Sequence, residues 1–585
     1  MLAKEPTLEG KEGAALHTQS FWRTQRGVRL AATLLALVLL GCIGGFVFRH
    51  FERDAELRRL ALNQALYRAM TDSVDFEYCH DPAFQGKLGF CRDHEQLEGY
   101  LKGFFGRSGN SIVDEENWTW PGGFFFVMRV ASTVAYATQG APLTPEGRAA
   151  AILVGMLAIP LFGYALLLAS ASMLQGAERA ICFCADAMDY IVVSLGLTKV
   201  SEWIEGVAGT VHRREQLVLL GMCVLIVLWA GGACAFHWLE GWTWLDSFYF
   251  CFITLSTVGF GTDIPTRLTS RVLCTVYIFV ALSLSTGIVC ELCHRKDAEL
   301  PLLGGLRRRL SSSWKVPAAL LLLCSLGSII FPMLERGEEL ARTKHAEALY
   351  RHLSDLAYFD GCSEEILRSQ SFCRNAKWFR EELKSFFGPF TPNAMEDREL
   401  WTVSGSALFV LSLASTVGYG AQAPHTHAGE LATVIFGCLT IPLFMYCMMQ
   451  ASSIVSGCLE RHLLRVLARD AEQKISRENI SLLAHISLVL LLWFGGAGVL
   501  VCIDVGDRWT FSAALYFCFV TLSTIGFSNV MPHSVSARCF VLVYIFMGLG
   551  TCASLVSLAA RRFERLVADH DGIEDMPGET GAATC

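Results

Sequence analysis

The apolar residues of this chain fall into eight blocks of roughly 20, separated by polar and charged stretches: about Val28–Phe48, Ala149–Leu174, Leu217–His237, Arg271–Glu291, Val316–Leu334, Leu431–Ile454, Ser481–Ile503 and Ala537–Ala560. A helix of that length covers the roughly 30 Å hydrocarbon thickness of a bilayer. A soluble core accounts for one such block but not for eight spaced in this way. The pattern predicts an all-α integral membrane protein with eight transmembrane helices. The first two dozen residues are mixed and polar and the first apolar block is full length, so no cleaved signal peptide is expected.

Between the members of each successive pair of blocks lies a shorter aromatic-rich run that ends in a recurring signature. The four copies are Thr133-Val134-Ala135-Tyr136-Ala137, Thr257-Val258-Gly259-Phe260-Gly261, Thr416-Val417-Gly418-Tyr419-Gly420 and Thr524-Ile525-Gly526-Phe527-Ser528. Extended Thr-Val-Gly-Tyr/Phe-Gly backbone can offer successive carbonyl oxygens to a dehydrated cation, and four such strands close one potassium filter. Four copies in one chain would let a single polypeptide build a whole pore from four re-entrant pore loops. Tryptophans 118, 120, 242, 244, 401 and 509 precede the loops, where interfacial anchoring is expected.

The chain is also an internal duplication. Ala65-Leu66-Tyr67-Arg68 recurs as Ala348-Leu349-Tyr350-Arg351, and Ile159-Pro160-Leu161-Phe162 as Ile441-Pro442-Leu443-Phe444. Five regions follow: 1–27, a cytosolic N-terminus; 28–293, the first repeat, with a helical extracellular cap at about 50–117; 294–315, a cytosolic linker; 316–562, the second repeat, with its cap at about 335–400; and 563–585, a cytosolic C-terminal tail. Arg and Lys cluster at Arg23, Arg26, Arg29, Arg213, Arg214, Arg307–Arg309, Arg461–Arg477 and Arg561–Arg565, all on one side if the spans alternate. By the positive-inside rule both termini are then cytosolic and the protein is a multi-pass protein of the cell membrane.

Of 585 residues, 53% are hydrophobic and 18% charged, too apolar for a soluble enzyme. No nucleotide loop, metal-ligand motif or nucleophile elbow stands in the sequence, so neither enzymatic activity nor a cofactor is expected, nor a nucleic-acid partner. Potassium ions and lipid are the expected ligands. Each cap segment is net negative, with 13 acidic against 8 basic residues in 52–117 and 13 against 10 in 335–400, which would concentrate cations above a pore.

These motifs resemble the two-pore-domain potassium channels, through Phe124-Phe125-Phe126, Ile159-Pro160-Leu161-Phe162-Gly163, Glu240-Gly241-Trp242 and the run from Ile253 to Gly261. The resemblance covers both halves. It implies a family dimer fused in tandem, functional as a monomer with pseudo-twofold symmetry. In that family alternate filter residues are left-handed glycines, so Ala135, Ala137 and Ser528 depart from the pattern. A residue with a Cβ costs about 1–2 kcal/mol there. Ordinary potassium selectivity, weak cation selectivity and a non-conducting regulatory subunit all stay open. Pro160 and Pro442 should kink their spans; the resemblance implies a gating bend, and a static kink is the alternative.

Cys79, Cys91, Cys362 and Cys373 lie on the oxidising side. Local pairing (79 with 91, 362 with 373) would close each cap hairpin, whereas the family often links its caps across the apex. Asn117 heads a glycosylation sequon close to the membrane. His425, His427 and His533 follow the third and fourth signatures, at the outer mouth, and are candidate pH sensors or solvated loop residues. No span carries Arg at every third position, so voltage sensing is not expected and a background leak is. Trk- and HKT-type potassium transporters share the four-loop layout, but they typically keep one glycine per loop and lack caps.

Overall fold

The computed structural model describes residues 27–58, 118–134, 136, 141–142, 144–194, 213–262, 264–293, 315–357, 400–420, 422–467, 474–504, 509–527, 531–532 and 534–570. Among them all regular structure is helical, in twelve helices: α1 (Gly27–Arg58), α2 (Trp120–Ser132), α3 (Pro145–Ser194), α4 (Arg213–Glu240), α5 (Trp244–Leu255), α6 (Leu268–Cys293), α7 (Lys315–Ala357), α8 (Val403–Ala414), α9 (His427–Leu467), α10 (Lys474–Ile503), α11 (Phe511–Leu522) and α12 (Val535–His570). They repeat as four units of long, short and long helix. The eight long helices contain the eight apolar blocks and are long and apolar enough to cross a membrane, with mean hydropathies of 1.7 to 2.5. Many of their apolar side chains face outward, Leu153, Val227, Leu322 and Val556 among them. In water this would be untenable; in a bilayer it is the lipid-facing surface.

Several helices outrun their apolar blocks. The 50-residue α3 continues well past Leu174 into the stretch expected to be cytosolic loop. The 43-residue α7 carries the fifth span on into the segment assigned to the second cap. The caps beyond residues 58 and 357 lie outside the described residues, and with them Cys79, Cys91, Cys362, Cys373 and Asn117. Pro160 and Pro442 sit inside uninterrupted helices, as does Pro332 in α7.

The four short helices form the centre. Phe126, Phe250, Phe409 and Phe517, one from each, are almost completely buried, and burying one such ring contributes about 1.5–3 kcal/mol. The packing is cyclic: α2 rests on α6 of the second unit, α5 on α9 of the third, α8 on α12 of the fourth, and α11 on α3 of the first. The ring of four therefore closes within the chain.

Candidate functional site

Each short helix starts from the same two residues, Trp-Thr, at 118–119, 242–243, 401–402 and 509–510. The threonine is the N-cap in all four, its hydroxyl accepting from the backbone N–H of Gly122, Asp246, Gly405 or Ala513 at 3.2 to 3.3 Å. This satisfies one of the donors that a helix start leaves open. Trp118, Trp401 and Trp509 are buried rather than placed at an interface. Each packs on a neighbouring ring, Phe48, Phe331 and Phe517 respectively, which corrects the anchoring role expected for them. Trp244 is half exposed, in keeping with it.

Every helix then ends in a threonine of left-handed backbone: Thr133, Thr257, Thr416 and Thr524 have φ of 56°, 59°, 56° and 56°. A β-branched residue is rarely found there, so one strained geometry has been kept four times. It turns the chain sharply from helix into the signature segment. The segment amides then bond back to their own helix: Gly259 N–H to Ile253 O, Val417 and Gly418 N–H to Ser412 O, Ile525 and Gly526 N–H to Val520 O, at 2.9 to 3.2 Å. With the amides engaged on that side, the carbonyls are left for the other.

Carbonyls and glycines of adjacent segments come very close. A Cβ built on Gly418 would lie 1.7 Å from Val258 O, and one on Gly526 would lie 1.7 Å from Val417 O. Only glycine fits either position. Gly259, Gly418 and Gly526, each third in its segment, have positive φ, as does Gly261. In the first segment Tyr136, the fourth residue, is left-handed at φ 47°, whereas Phe260, Tyr419 and Phe527 at the same place are not. Ala135, Ala137 and Ser528 lie outside the described residues.

The side chains at the second and fourth positions are buried behind the backbone. Each fourth-position ring stacks on the phenylalanine of the next short helix. Tyr136 stacks on Phe250 at 5.4 Å, Phe260 on Phe409 at 5.0 Å, Tyr419 on Phe517 at 5.3 Å and Phe527 on Phe126 at 5.2 Å, with interplanar angles of 11° to 22°. The two tyrosines add a hydroxyl contact of 2.6 Å, Tyr136 to Thr254 and Tyr419 to Thr521. The contacts run first to second, second to third, third to fourth and fourth to first. Four segments, each more than a hundred residues from the next, are thus joined in one closed cycle of ring contacts.

Carboxylates fasten the loops to the long helices. Glu52 of α1 accepts from the N–H and hydroxyl of Thr144, and Glu56 from Trp118 N–H. Glu335 of α7 accepts from the N–H groups of His425 and Thr426 and from the Thr426 hydroxyl, and Glu339 from Leu400 and Trp401 N–H. Sequence reasoning missed these residues, although the signal was present: the acidic pair recurs at the same offset (335 − 52 and 339 − 56 are both 283). Glu240 and Asp504 hold the second and fourth loops in the same manner, through Thr266 and through Trp509 and Ser534. Of the three candidate histidines, His425 and His427 are exposed beside the third loop, and His533 lies outside the described residues.

A family model described as "Ion channel" matches this chain four times, over residues 100–175, 222–294, 382–456 and 486–565, one match per unit. Two proteins of Caenorhabditis elegans are similar in sequence. TWiK family of potassium channels protein 7 is 25% identical over 193 residues, covering 29% of this chain and 34% of the relative. TWiK family of potassium channels protein 18 is 26% identical over 210 residues, covering 30% and 45%. These matches span less than half the length of either relative.

Proposed function

Because this chain belongs to the ion-channel family, with four matching units in tandem, we propose that it is a potassium channel of background type whose four loops form one filter within a single polypeptide. The observation that carries this reading is the closed cycle of ring contacts from Tyr136 to Phe250, Phe260 to Phe409, Tyr419 to Phe517 and Phe527 to Phe126. A cuff that closes on itself needs no second copy. The names of the two similar proteins, both potassium channels, favour potassium as the ion.

In this reading an ion leaves its water shell at the outer mouth and exchanges it for ring after ring of backbone carbonyls. The short helices direct their C-terminal, partially negative ends toward the same axis, which favours a cation there. The rings buried behind the segments hold the carbonyl spacing, and the glutamate clasps hold the loop ends. The protein works in the cell membrane with both termini in the cytosol, as its Arg-rich segments suggest. Pro160 and Pro442 are the candidate hinges of the inner helices. His425, His427 and His533 are the groups through which external acid would oppose current. Asn117 is the candidate glycan site, and Cys79, Cys91, Cys362 and Cys373 would brace the caps.

A second reading, a weakly selective cation channel, is favoured by one observation. Tyr136, fourth in the first segment, is left-handed at φ 47°, whereas its counterparts Phe260, Tyr419 and Phe527 are not. The first segment therefore departs from the other three at this position. Voltage clamp of cells expressing the chain, under potassium and then sodium gradients, separates the readings. A reversal potential that follows potassium is the expected result; one that stays near zero in both gradients favours the second, and absence of current defeats both.

A further inference from the structure

Where the long helix after each signature segment begins, three of the four units use the same device. Arg148, Arg271 and Arg538 each turn a guanidinium Nε–H back onto the carbonyl of the proline six residues earlier, at 3.4, 3.1 and 3.2 Å. The third loop, from Pro424, carries Glu430 at this place. Three residues before it stands His427, where the other loops have Pro145, Leu268 and Val535. Packed against α9, the long helix that begins here, is α5, and its third residue is Asp246, where α2, α8 and α11 have Gly122, Gly405 and Ala513. All three exceptions to the fourfold pattern therefore occur at one seam, between the second unit and the third.

They also converge in space. His427 Nδ1 lies 3.7 Å from Asp246 Oδ1 and 3.5 Å from Glu430 Oε2, and the three ligand atoms are all within 4.8 Å of one another. For metal–ligand bonds of about 2.0–2.1 Å, neighbouring ligand atoms of a tetrahedral site lie roughly 3.3–3.4 Å apart, so small side-chain rotations complete the set. The Glu430 and Asp246 side chains are 7% and 20% exposed while that of His427 is 71% exposed, so the site is walled by carboxylates and open on the imidazole side.

We propose that Asp246, His427 and Glu430 form a single binding site for a divalent transition-metal ion of the zinc type, on the face where the signature segments exit, linking the first half of the chain to the second. One imidazole nitrogen and two carboxylate oxygens suit zinc, nickel or copper better than calcium or magnesium, which prefer oxygen alone. Two carboxylates neutralise the ion's charge, and the open side leaves room for water as a further ligand. In a symmetric dimer the seam would occur twice. Here the equivalent place between the fourth unit and the first holds Ala513, Pro145 and Arg148, so the site is single.

The test is metal binding to the purified full-length chain in detergent, which needs no conduction and so stands or falls apart from the proposed channel activity. Zinc is titrated by calorimetry, cobalt by its visible absorption, and Asp246→Asn and His427→Ala are compared with the unmodified chain. The proposal expects one saturable site that either substitution weakens by at least about tenfold, and a zinc-dependent rise in melting temperature that the variants lose. Since His427 is exposed, its removal leaves the fold in place. His427→Cys should restore binding, with preference moved toward cadmium. Zinc binding that is absent from the unmodified chain, or that both substitutions leave unchanged, overturns the proposal.

Discussion

Gly418 and Gly526 are the residues on which the signature geometry turns. A methyl group on either would fall 1.7 Å from a carbonyl oxygen of the preceding segment, a distance no side-chain rotation relieves, and both residues have positive φ besides. Gly418→Ala and Gly526→Ala should each abolish current while the protein still reaches the membrane, as whole-cell recording with surface labelling would check. Ala135 is the complementary case. It stands where three units have glycine, and in its segment Tyr136 is left-handed where Phe260, Tyr419 and Phe527 are not. Ala135→Gly should bring the first segment into step and raise the potassium-to-sodium permeability ratio, read from bi-ionic reversal potentials. An unchanged ratio would mean that the first segment already presents its carbonyls as the others do.

At the scale of elements, two kinds of contact hold a short helix in place, and their magnitudes differ. A threonine N-cap contributes about 1 kcal/mol. A buried carboxylate such as Glu335, accepting three hydrogen bonds from the third loop, contributes more, because bonds to a charged group are worth about 1.5–3 kcal/mol and leave unsatisfied donors when broken. Glu335→Gln should therefore lower the melting temperature of the purified protein more than Thr243→Ala does, in the same detergent. Reversal of that order would show that the clasps are dispensable. The clasps were legible only in hindsight. An i, i+4 glutamate pair at the end of an apolar span reads equally well as the solvated start of a cap. The Trp-Thr pairs were visible for their tryptophans alone; the threonine's role depends on a helix beginning at the next residue.

At the scale of the molecule, the cyclic packing of α2 on α6, α5 on α9, α8 on α12 and α11 on α3 uses every seam within one chain. A pore complete in one polypeptide makes a quantitative prediction. When unmodified chain and the Gly418→Ala variant are expressed in equal amounts, macroscopic current should fall to half, with unitary current unchanged. An obligate pair of chains, in which one defective member silences both, would leave a quarter. The eight spans, the four loops and the duplication were all readable from the sequence, because block length, signature motif and repeat offset are local or one-dimensional properties. The continuation of α3 past Leu174 was not readable, since hydropathy marks where a helix leaves lipid and not where its hydrogen bonds stop.

The sequence by itself determined the membrane class, the number of spans and the places of the four signature segments, because each follows from the order of residues along a few turns of chain. It could not say which segment neighbours which, that the aromatic cuff closes from Phe527 back to Phe126, or that Asp246 meets His427 and Glu430 from the other half of the molecule. Those are distances between residues far apart in the chain, fixed by how the long helices pack side by side, and no local pattern of residues encodes them.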